Sequence, residues 1–202
     1  THEGRQAQIR VGLEAHRRHF AKPPRGMWLP ECAWDDALDA TLADCGVGQV
    51  VLEAHALAGA RPLPRHGLAA PIRTPAGISA FGRDPESSVR VWSATEGYPG
   101  DPAYREFHRD IGWDADDEAV RPFQSDDGLR RPVGLKLHRV TGAVSLSDKA
   151  PYDPEIANRR AVEHARHFLG GRARLLRRIG QRTERPPIVV AAFDAELFGH
   201  WW

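Results

Sequence analysis

The spacing of apolar residues divides the chain into segments that favour helices and segments that favour buried strands. In residues 5–20, four apolar or aromatic positions recur at helical spacing: Ile9, Leu13, His16 and Phe20. Two consecutive prolines follow, and proline cannot continue a helix because it lacks the backbone N–H. This pattern predicts an amphipathic helix over residues 5–20.

The next fifty residues predict a strand, a helix and a second strand. Gly26–Pro30 is a short apolar run, and Val47–Glu53 is another. Between them, Asp35–Cys45 carries apolar residues on one helical face, and Gly46 is placed to end that helix. Two short apolar strands joined by a helix favour parallel pairing.

The rest of the chain has fewer regular patterns. Residues 57–88 are rich in Pro, Gly, Arg and Ala, which predicts a long loop with at most one short strand near 76–81. The acidic stretch Asp114–Arg131 is expected to be irregular. Further elements are predicted as strands at Val89–Ser93, Val133–Arg139 and Ile188–Phe193, and as helices at Pro102–Ile111 and Asp153–Gly180, the last with Asp153 as N-cap and Pro154 in first position.

Strands that alternate with helices predict an α/β fold, and the carboxyl ends of two strands carry acidic residues. Catalytic residues occupy that position in a β/α barrel. A complete barrel needs about 250 residues, whereas this chain has 202 and five recognisable strands. We therefore expect residues 1–202 to form part of one catalytic barrel domain that is truncated at both ends.

Composition narrows the class of protein. The chain is 41% hydrophobic and 27% charged with a net charge of +1, so its composition does not indicate a nucleic-acid or membrane surface, and neither partner is expected. Its basic run, Arg172–Arg185, is interpreted as a solvated helix face. No apolar stretch approaches the length of a membrane span. Two cysteines, Cys32 and Cys45, with a helix expected between them, favour a reducing cytoplasm.

Two carboxylates in aromatic surroundings are the candidate catalytic residues. Glu31 follows the apolar run that ends at Pro30, and Asp194 follows Ile188–Phe193. A retaining glycosidase uses one ionised carboxylate as nucleophile and a second, protonated carboxyl group as acid. The alternative for either residue alone is a helix cap or a salt bridge. The occurrence of two such carboxylates, each among aromatic residues, favours the glycosidase interpretation.

Tryptophans and histidines complete the candidate site. Aromatic faces stack on the apolar faces of sugar rings, and the alternative for each tryptophan is packing in the core. The histidines lack the His-x-x-x-His spacing of a metal site, so hydrogen-bonded structural or substrate-contacting roles are expected and no metal is predicted. The residues considered are Trp28, Trp34, Trp92, Trp201 and Trp202 among the tryptophans, and His55, His138, His164, His167 and His200 among the histidines.

Two segments resemble signature regions of glycoside hydrolase family 57. They read WLPECA at residues 28–33 and FDAELFGHWW at residues 193–202. Shorter stretches at 91–93, 97–107, 111–114 and 136–142 are similar to the same family. The subgroup that the chain resembles most is that of the 1,4-α-glucan branching enzymes.

This resemblance implies a distorted (β/α)7 barrel, a retaining mechanism on α-glucan, and no metal or other cofactor. It implies Glu31 as nucleophile and Asp194 as general acid/base. Sugar-binding roles are implied for Trp28, Trp92, His200, Trp201 and Trp202. Because family members carry an earlier strand and a later helical domain, the resemblance also implies that this chain is an internal part of a longer protein.

Several functions stay open at this point. A branching transferase is the leading hypothesis, with glycogen biosynthesis as its setting. The branching subgroup carries a loop Tyr between the Glu31 and Trp92 segments, and this chain has no Tyr there. The absence favours hydrolysis over transfer, and an α-amylase-like hydrolase or a 4-α-glucanotransferase of the same family is the alternative. A non-catalytic glucan-binding protein and a metal-dependent deacetylase are further alternatives, and the second lacks a recognisable ligand set.

Overall fold

The computed structural model describes residues 1–195, and these fall into two compact units. Unit 1 comprises Thr1–Pro85 and Arg172–Ala192. Unit 2 comprises Glu86–Gly171 together with residues 193–195. Helices and strands occur together, which confirms the mixed α/β class. None of the helices within residues 1–195 is both long enough and apolar enough to span a bilayer.

Unit 1 contains the predicted order of helix, strand, helix and strand in its first 53 residues, whereas residues 57–88, predicted to hold at most one short strand, contain two. Its first helix is longer than predicted, because the Thr1 hydroxyl caps it by accepting from the Gly4 N–H at 3.1 Å. The elements are α1 His2–Phe20, β1 Gly26–Trp28, α2 Asp39–Asp44, β2 Gln49–Leu52, α3 Ala54–Ala58, β3 Ile72–Arg73 and β4 Ser79–Gly82.

Within the described residues, a four-stranded sheet has the order β1-β2-β4-β3. Strands β1, β2 and β4 are parallel, and β3 pairs antiparallel with β4. The register places Trp28 opposite Val51, and Val51 opposite Phe81. Parallel pairing of β1 and β2 is confirmed. Their carboxyl ends therefore meet at one edge of the sheet, which is where α/β proteins place their ligands.

One face of this sheet forms the core of unit 1. Val50, Leu52 and Ala80 are almost fully buried on it, and Leu42 of α2 packs against them. Residues of the opposite face, which include Trp28 and the partly buried Val51 and Phe81, are left more accessible. The alternation follows from the two-residue period of a strand. Side chains that follow the strands on this second face are thus available for a site.

Unit 2 contains short helices and one long helix. Helix α4 covers Pro85–Trp92, α5 covers Ile111–Asp114, and α6 covers Asp117–Val120. Helix α7 covers Pro154–Gly180, and its carboxyl-terminal residues from Arg172 belong to unit 1. The Asp153 carboxylate accepts from the N–H groups of residues 155 and 156 at 2.9 and 3.1 Å. The predicted cap, proline start and length of this helix are confirmed.

Buried charged groups organise the irregular part of unit 2. Asp110 is fully buried and accepts hydrogen bonds from the backbone N–H groups of Gly112, Val133 and Gly134 at 2.7–3.0 Å. A Cβ added to Gly112 would lie 2.4 Å from the Arg131 carbonyl oxygen, so this position excludes larger residues. A single carboxylate therefore holds two distant stretches of backbone together.

A second buried pair acts in the same unit. The Lys149 Nζ lies 3.3 Å from the Glu106 carboxylate and also donates to the carbonyl oxygens of Val140 and Gly142. Both side chains are less than a tenth exposed. Because the ammonium group meets three acceptors, its burial is compensated and the loop around residue 142 is fixed.

Four predicted elements are wrong. Val89–Ser93 lies mostly in helix α4, and Pro102–Ile111 is irregular except at its last residue. Val133–Arg139 does not form a strand of the sheet: the Asp110 carboxylate takes two of its N–H groups, and isolated bridges join residues 138 and 139 to other loops. Ile188–Phe193 forms one parallel bridge, between Val190 and Arg83, instead of a ladder.

Candidate active site

Glu31 is presented by a turn with unusual backbone geometry. Strand β1 ends at Trp28, and a 3₁₀ turn follows at Pro30–Cys32. Glu31 has φ 54° and Cys32 has φ 52°, both in the left-handed region that non-glycine residues rarely adopt. Such conformations are costly and cluster at functional sites, where the surrounding structure enforces them.

Backbone hydrogen bonds hold this turn in place. The Cys32 N–H donates to the Leu29 carbonyl, and the Cys32 carbonyl accepts from the Glu53 N–H, at 3.0 and 3.2 Å. Leu29 and Cys32 are buried, whereas the Glu31 side chain is exposed. No side chain or backbone group of residues 1–195 pairs with the Glu31 carboxylate. The turn therefore leaves the Glu31 carboxylate accessible to a ligand. Within residues 1–195, Glu31 acts neither as a helix cap nor as a salt-bridge partner.

The second predicted carboxylate, Asp194, lies four residues after Val190, which bridges to the end of β4. Its side chain is half-buried and has no hydrogen-bond or ionic partner among residues 1–195. Asp194 belongs to unit 2 and Glu31 to unit 1. A retaining pair requires the two carboxyl groups to lie about 5–5.5 Å apart, and this separation stays a prediction for Glu31 and Asp194.

Trp28 lies beside a shallow groove on the open face of the sheet. The groove has a volume of about 220 Å³, and Gln49, Val51 and Phe81 also line it. The Trp28 side chain is 39% exposed, so part of its indole ring is accessible to a ligand. An exposed indole beside a groove is suited to stacking on a sugar ring, although this role stays a prediction.

A charged pair at the same edge was missed from the sequence. Arg83 follows β4 and Glu53 follows β2, and the Arg83 Nη1 donates to the Glu53 carboxylate at 2.7 Å. A second ion pair lies next to Arg83 in the sequence, because Asp84 accepts a hydrogen bond from the buried guanidinium of Arg172. The rule that points to Glu31, a charged residue directly after an apolar strand, would also have found Glu53 and Arg83.

Trp92 is the last residue of helix α4 and is partly buried, so its predicted place at a strand end is wrong. Its sugar-binding role stays a prediction. His200, Trp201 and Trp202 lie outside the described residues.

Two of the histidines considered from the sequence belong to a polar cluster of unit 2. His164 Nδ1 lies 2.8 Å from the Tyr104 hydroxyl, and His167 Nδ1 lies 2.9 Å from the Tyr98 hydroxyl. Burial lowers the pKa of His164, although the nearby Asp101 carboxylate opposes the shift. Hydrogen-bonded roles are thus confirmed for His164 and His167. Across residues 1–195, no group of three or more His, Cys, Asp and Glu side chains is arranged to hold a metal ion.

Comparison with known proteins places these features in a family. A probable 1,4-alpha-glucan branching enzyme of Mycobacterium tuberculosis is 38% identical over 202 residues, covering 98% of this chain and 33% of the relative. A 1,4-alpha-glucan branching enzyme of Thermococcus kodakarensis is 32% identical over 227 residues, covering 99% of this chain and 31% of the relative. The chain thus spans about a third of the length of these curated relatives.

Solved structures give a matching result. An alpha-amylase from Thermotoga maritima superposes with a TM-score of 0.90 at 46% identity, covering 99% of this chain and 39% of that one. A GH57-type branching enzyme from Pyrococcus horikoshii superposes with a TM-score of 0.78 at 33% identity, covering 99% of this chain and 36% of that one. The model of glycosyl hydrolase family 57 matches residues 1–119. Since that match covers more than half of the chain, this chain belongs to glycosyl hydrolase family 57.

Proposed function

We propose that the complete protein is a retaining enzyme that acts on α-glucan, with 1,4-α-glucan branching as its reaction. One observation carries the proposal: Glu31 is held in a left-handed turn at the carboxyl end of a parallel strand, exposed, without a partner among residues 1–195, three residues after the exposed Trp28. A nucleophile must reach the anomeric carbon, and an exposed carboxylate at a strand end is accessible to it. The two relatives named as branching enzymes support the choice of reaction.

In the proposed first step, a Glu31 carboxylate oxygen attacks the anomeric carbon of an α-1,4-linked glucosyl unit. The bond from that carbon to the glycosidic oxygen breaks, and Asp194 gives its proton to the departing oxygen. The product is a glucosyl ester on Glu31 together with a shortened chain that leaves with a free 4-hydroxyl.

In the second step, Asp194 takes the proton from the 6-hydroxyl of an acceptor glucan. The acceptor oxygen attacks the anomeric carbon, and the ester bond to Glu31 breaks, which restores both carboxyl groups. Two inversions give net retention. If water enters instead of the 6-hydroxyl, the same residues perform hydrolysis, so access to the intermediate decides between the two products.

Hydrolysis is the second candidate, and one observation favours it. The Thermotoga maritima structure is that of an alpha-amylase and is 46% identical to this chain. The absence of a Tyr between Glu31 and Trp92 points in the same direction. Transfer to a 4-hydroxyl is a third outcome of the same chemistry, and a non-catalytic glucan-binding protein is a fourth.

We further propose that residues 1–202 belong to a (β/α)7 barrel that forms the catalytic domain. Trp28, Trp92, His200, Trp201 and Trp202 are proposed to line its glucan site. Glycogen biosynthesis is the proposed setting. A cytoplasmic location is proposed because neither Cys32 nor Cys45 forms a disulfide among residues 1–195.

The product assay separates these reactions. Amylose is incubated with the complete protein, and proton NMR measures the anomeric signals of α-1,6 linkages while a second assay counts new reducing ends. Branching gives α-1,6 signals with few new reducing ends, and an amylase gives reducing ends alone. If the α-1,4-linked chains change in length without α-1,6 signals and without new reducing ends, the reaction is 4-α-transfer. An unchanged substrate would overturn the enzymatic proposal.

A further inference from the structure

Arg83 is a buried cation at the carboxyl edge of the sheet. Its side chain is 10% exposed, and its Nη1 donates a hydrogen bond to the Glu53 carboxylate. Its Nε is buried and finds no acceptor among residues 1–195. Leaving a buried donor unpaired is costly. An arginine whose role was only to form hydrogen bonds would be expected at a position where every N–H donor has an acceptor.

The position of Arg83 follows from the register of the sheet. Trp28, Val51 and Phe81 lie opposite one another on neighbouring strands. Glu53 is two residues after Val51, and Arg83 is two residues after Phe81. Since side chains two residues apart in a strand point to the same face, the charged pair is directed to the same side of the sheet as Trp28.

The Arg83 guanidinium carbon lies 6.0 Å from the centroid of the Trp28 ring. This is the outer limit of a cation–π contact, so the attraction is weak. The guanidinium nevertheless lies beside the indole, and Trp28 also lines the groove of about 220 Å³ on the open face of the sheet.

We propose that Arg83 is a positioning residue: held by Glu53, it fixes the plane of the Trp28 indole against which a glucosyl ring stacks. The identity of the ligand rests on the proposed function, whereas the effect on Trp28 does not. The competing role is that of a clamp that only joins the ends of β2 and β4. A clamp stabilises the sheet without any special effect on Trp28.

A double-mutant cycle on glucan binding distinguishes the two roles. Calorimetry measures the affinity for maltoheptaose in the complete protein, in a Glu31→Gln background that prevents turnover. We expect Trp28→Ala to weaken binding by about tenfold and Arg83→Met by about fivefold. The double variant should bind no more weakly than Trp28→Ala alone, because Arg83 acts through the indole. Additive losses would overturn the proposal.

Arg65→Met is the matched control. Arg65 also pairs with a glutamate, Glu184, but its side chain is 75% exposed. This variant removes the same charge and should leave the affinity unchanged. Arg83→Lys, which keeps the cation but loses the planar fork, should restore part of the affinity.

A second measurement needs no glucan. The near-ultraviolet circular dichroism spectrum of Trp28→Phe is subtracted from that of the wild type, which isolates the contribution of this indole. Arg83→Met should reduce that difference spectrum by about half or more, and an unchanged spectrum would overturn the proposal.

If the spectrum changes but the wild type binds no maltoheptaose, the proposed function fails while the positioning role stands. Should Arg83→Met not fold, Glu53→Gln loosens the guanidinium with less disturbance and is tested by the same two measurements.

Discussion

The Lys136 ammonium group lies 3.0 Å from the carboxylate of Asp110, which is fully buried. The same carboxylate also accepts the three backbone hydrogen bonds that fix the irregular part of unit 2. Every lone pair of this buried charge is thereby occupied, which is the condition under which a buried carboxylate is tolerated.

Asp110→Asn should destabilise the protein strongly. The amide keeps the size of the side chain but replaces acceptor oxygen with N–H donors that face backbone N–H groups. Breaking such a network costs about 3–5 kcal/mol. Urea unfolding measures this loss. Asp126→Asn, at an exposed position, is the matched control and should change stability by less than about 0.5 kcal/mol. A loss of similar size in both variants would contradict the role assigned to Asp110.

The contribution of Asp110 should also depend on pH. Burial would raise the pKa of Asp110, but hydrogen bonds from backbone N–H groups and the Lys136 ammonium outweigh it and hold that pKa below its usual value. The stabilisation is therefore complete above the unfolded pKa, about 3.9, and is lost as pH falls through the folded pKa. The stability difference between wild type and Asp110→Asn should be constant from pH 7 to about 5 and shrink below about 4. A difference that grows with acidity would contradict this.

A second effect of pH on folding stability should come from His164 and should start nearer neutral pH. Burial lowers the pKa of His164, so the folded state disfavours its protonation. Stability is expected to be unaffected by this group above the unfolded pKa, about 6.5. Below that pH the unfolded state takes up a proton first, and stability falls until the folded pKa is passed. His164→Asn should remove this loss of stability below about pH 6.5. His55→Asn, at an exposed position, should retain it.

Cys32 offers a test of the left-handed turn. Its φ of 52° is unfavourable for a β-branched side chain. Cys32→Val should therefore destabilise the protein by about 1–3 kcal/mol more than Cys32→Ala, although Val is nearer to Cys in size. Cys45 has φ −83° and supplies the control. Urea unfolding of the two Val variants should show a larger loss at position 32. Equal losses would indicate that the turn relaxes without cost.

Chemical rescue tests the assigned roles of the two carboxylates. Glu31→Ala in the complete protein should lower kcat by about 10⁴-fold or more, the scale expected for loss of a nucleophile. Azide can then attack the anomeric carbon from the face that the carboxylate occupied, displacing the glycosidic oxygen to give a β-glucosyl azide. Asp194→Ala should instead give the α-glucosyl azide, formed from the intermediate on Glu31. Identical anomers from both variants would contradict the assignment, and Glu118→Ala, at an exposed position, should retain full activity.

Local patterns predicted the elements that neighbouring residues specify. The α1 segment and the start of α7 at Pro154 follow from spacing, caps and prolines within a few residues of one another. The parallel β1–β2 pairing follows from the helix that joins the two strands. The position of Glu31 after a buried strand was likewise readable. Its left-handed backbone was not, because no glycine marks the turn.

Segments that depend on distant partners were predicted poorly. Val133–Arg139 alternates like a strand, yet Asp110, more than twenty residues earlier, accepts two of its N–H groups and so removes it from any ladder. Val89–Ser93 is apolar and β-branched in part, but it continues the helix that starts at Pro85. In both segments the apolar pattern also failed to mark buried positions, since Val89, Leu135 and Leu137 are exposed.

The sequence by itself determined the α/β class, the two carboxylate segments and the family that they resemble, since these rest on residue types and short spacings. Only the tertiary structure decided that Glu53 and Arg83 form a pair beside Trp28. Their pairing depends on the register of three strands, and register is set by the burial of a shared face. No local pattern encodes which charged side chains that register will bring together.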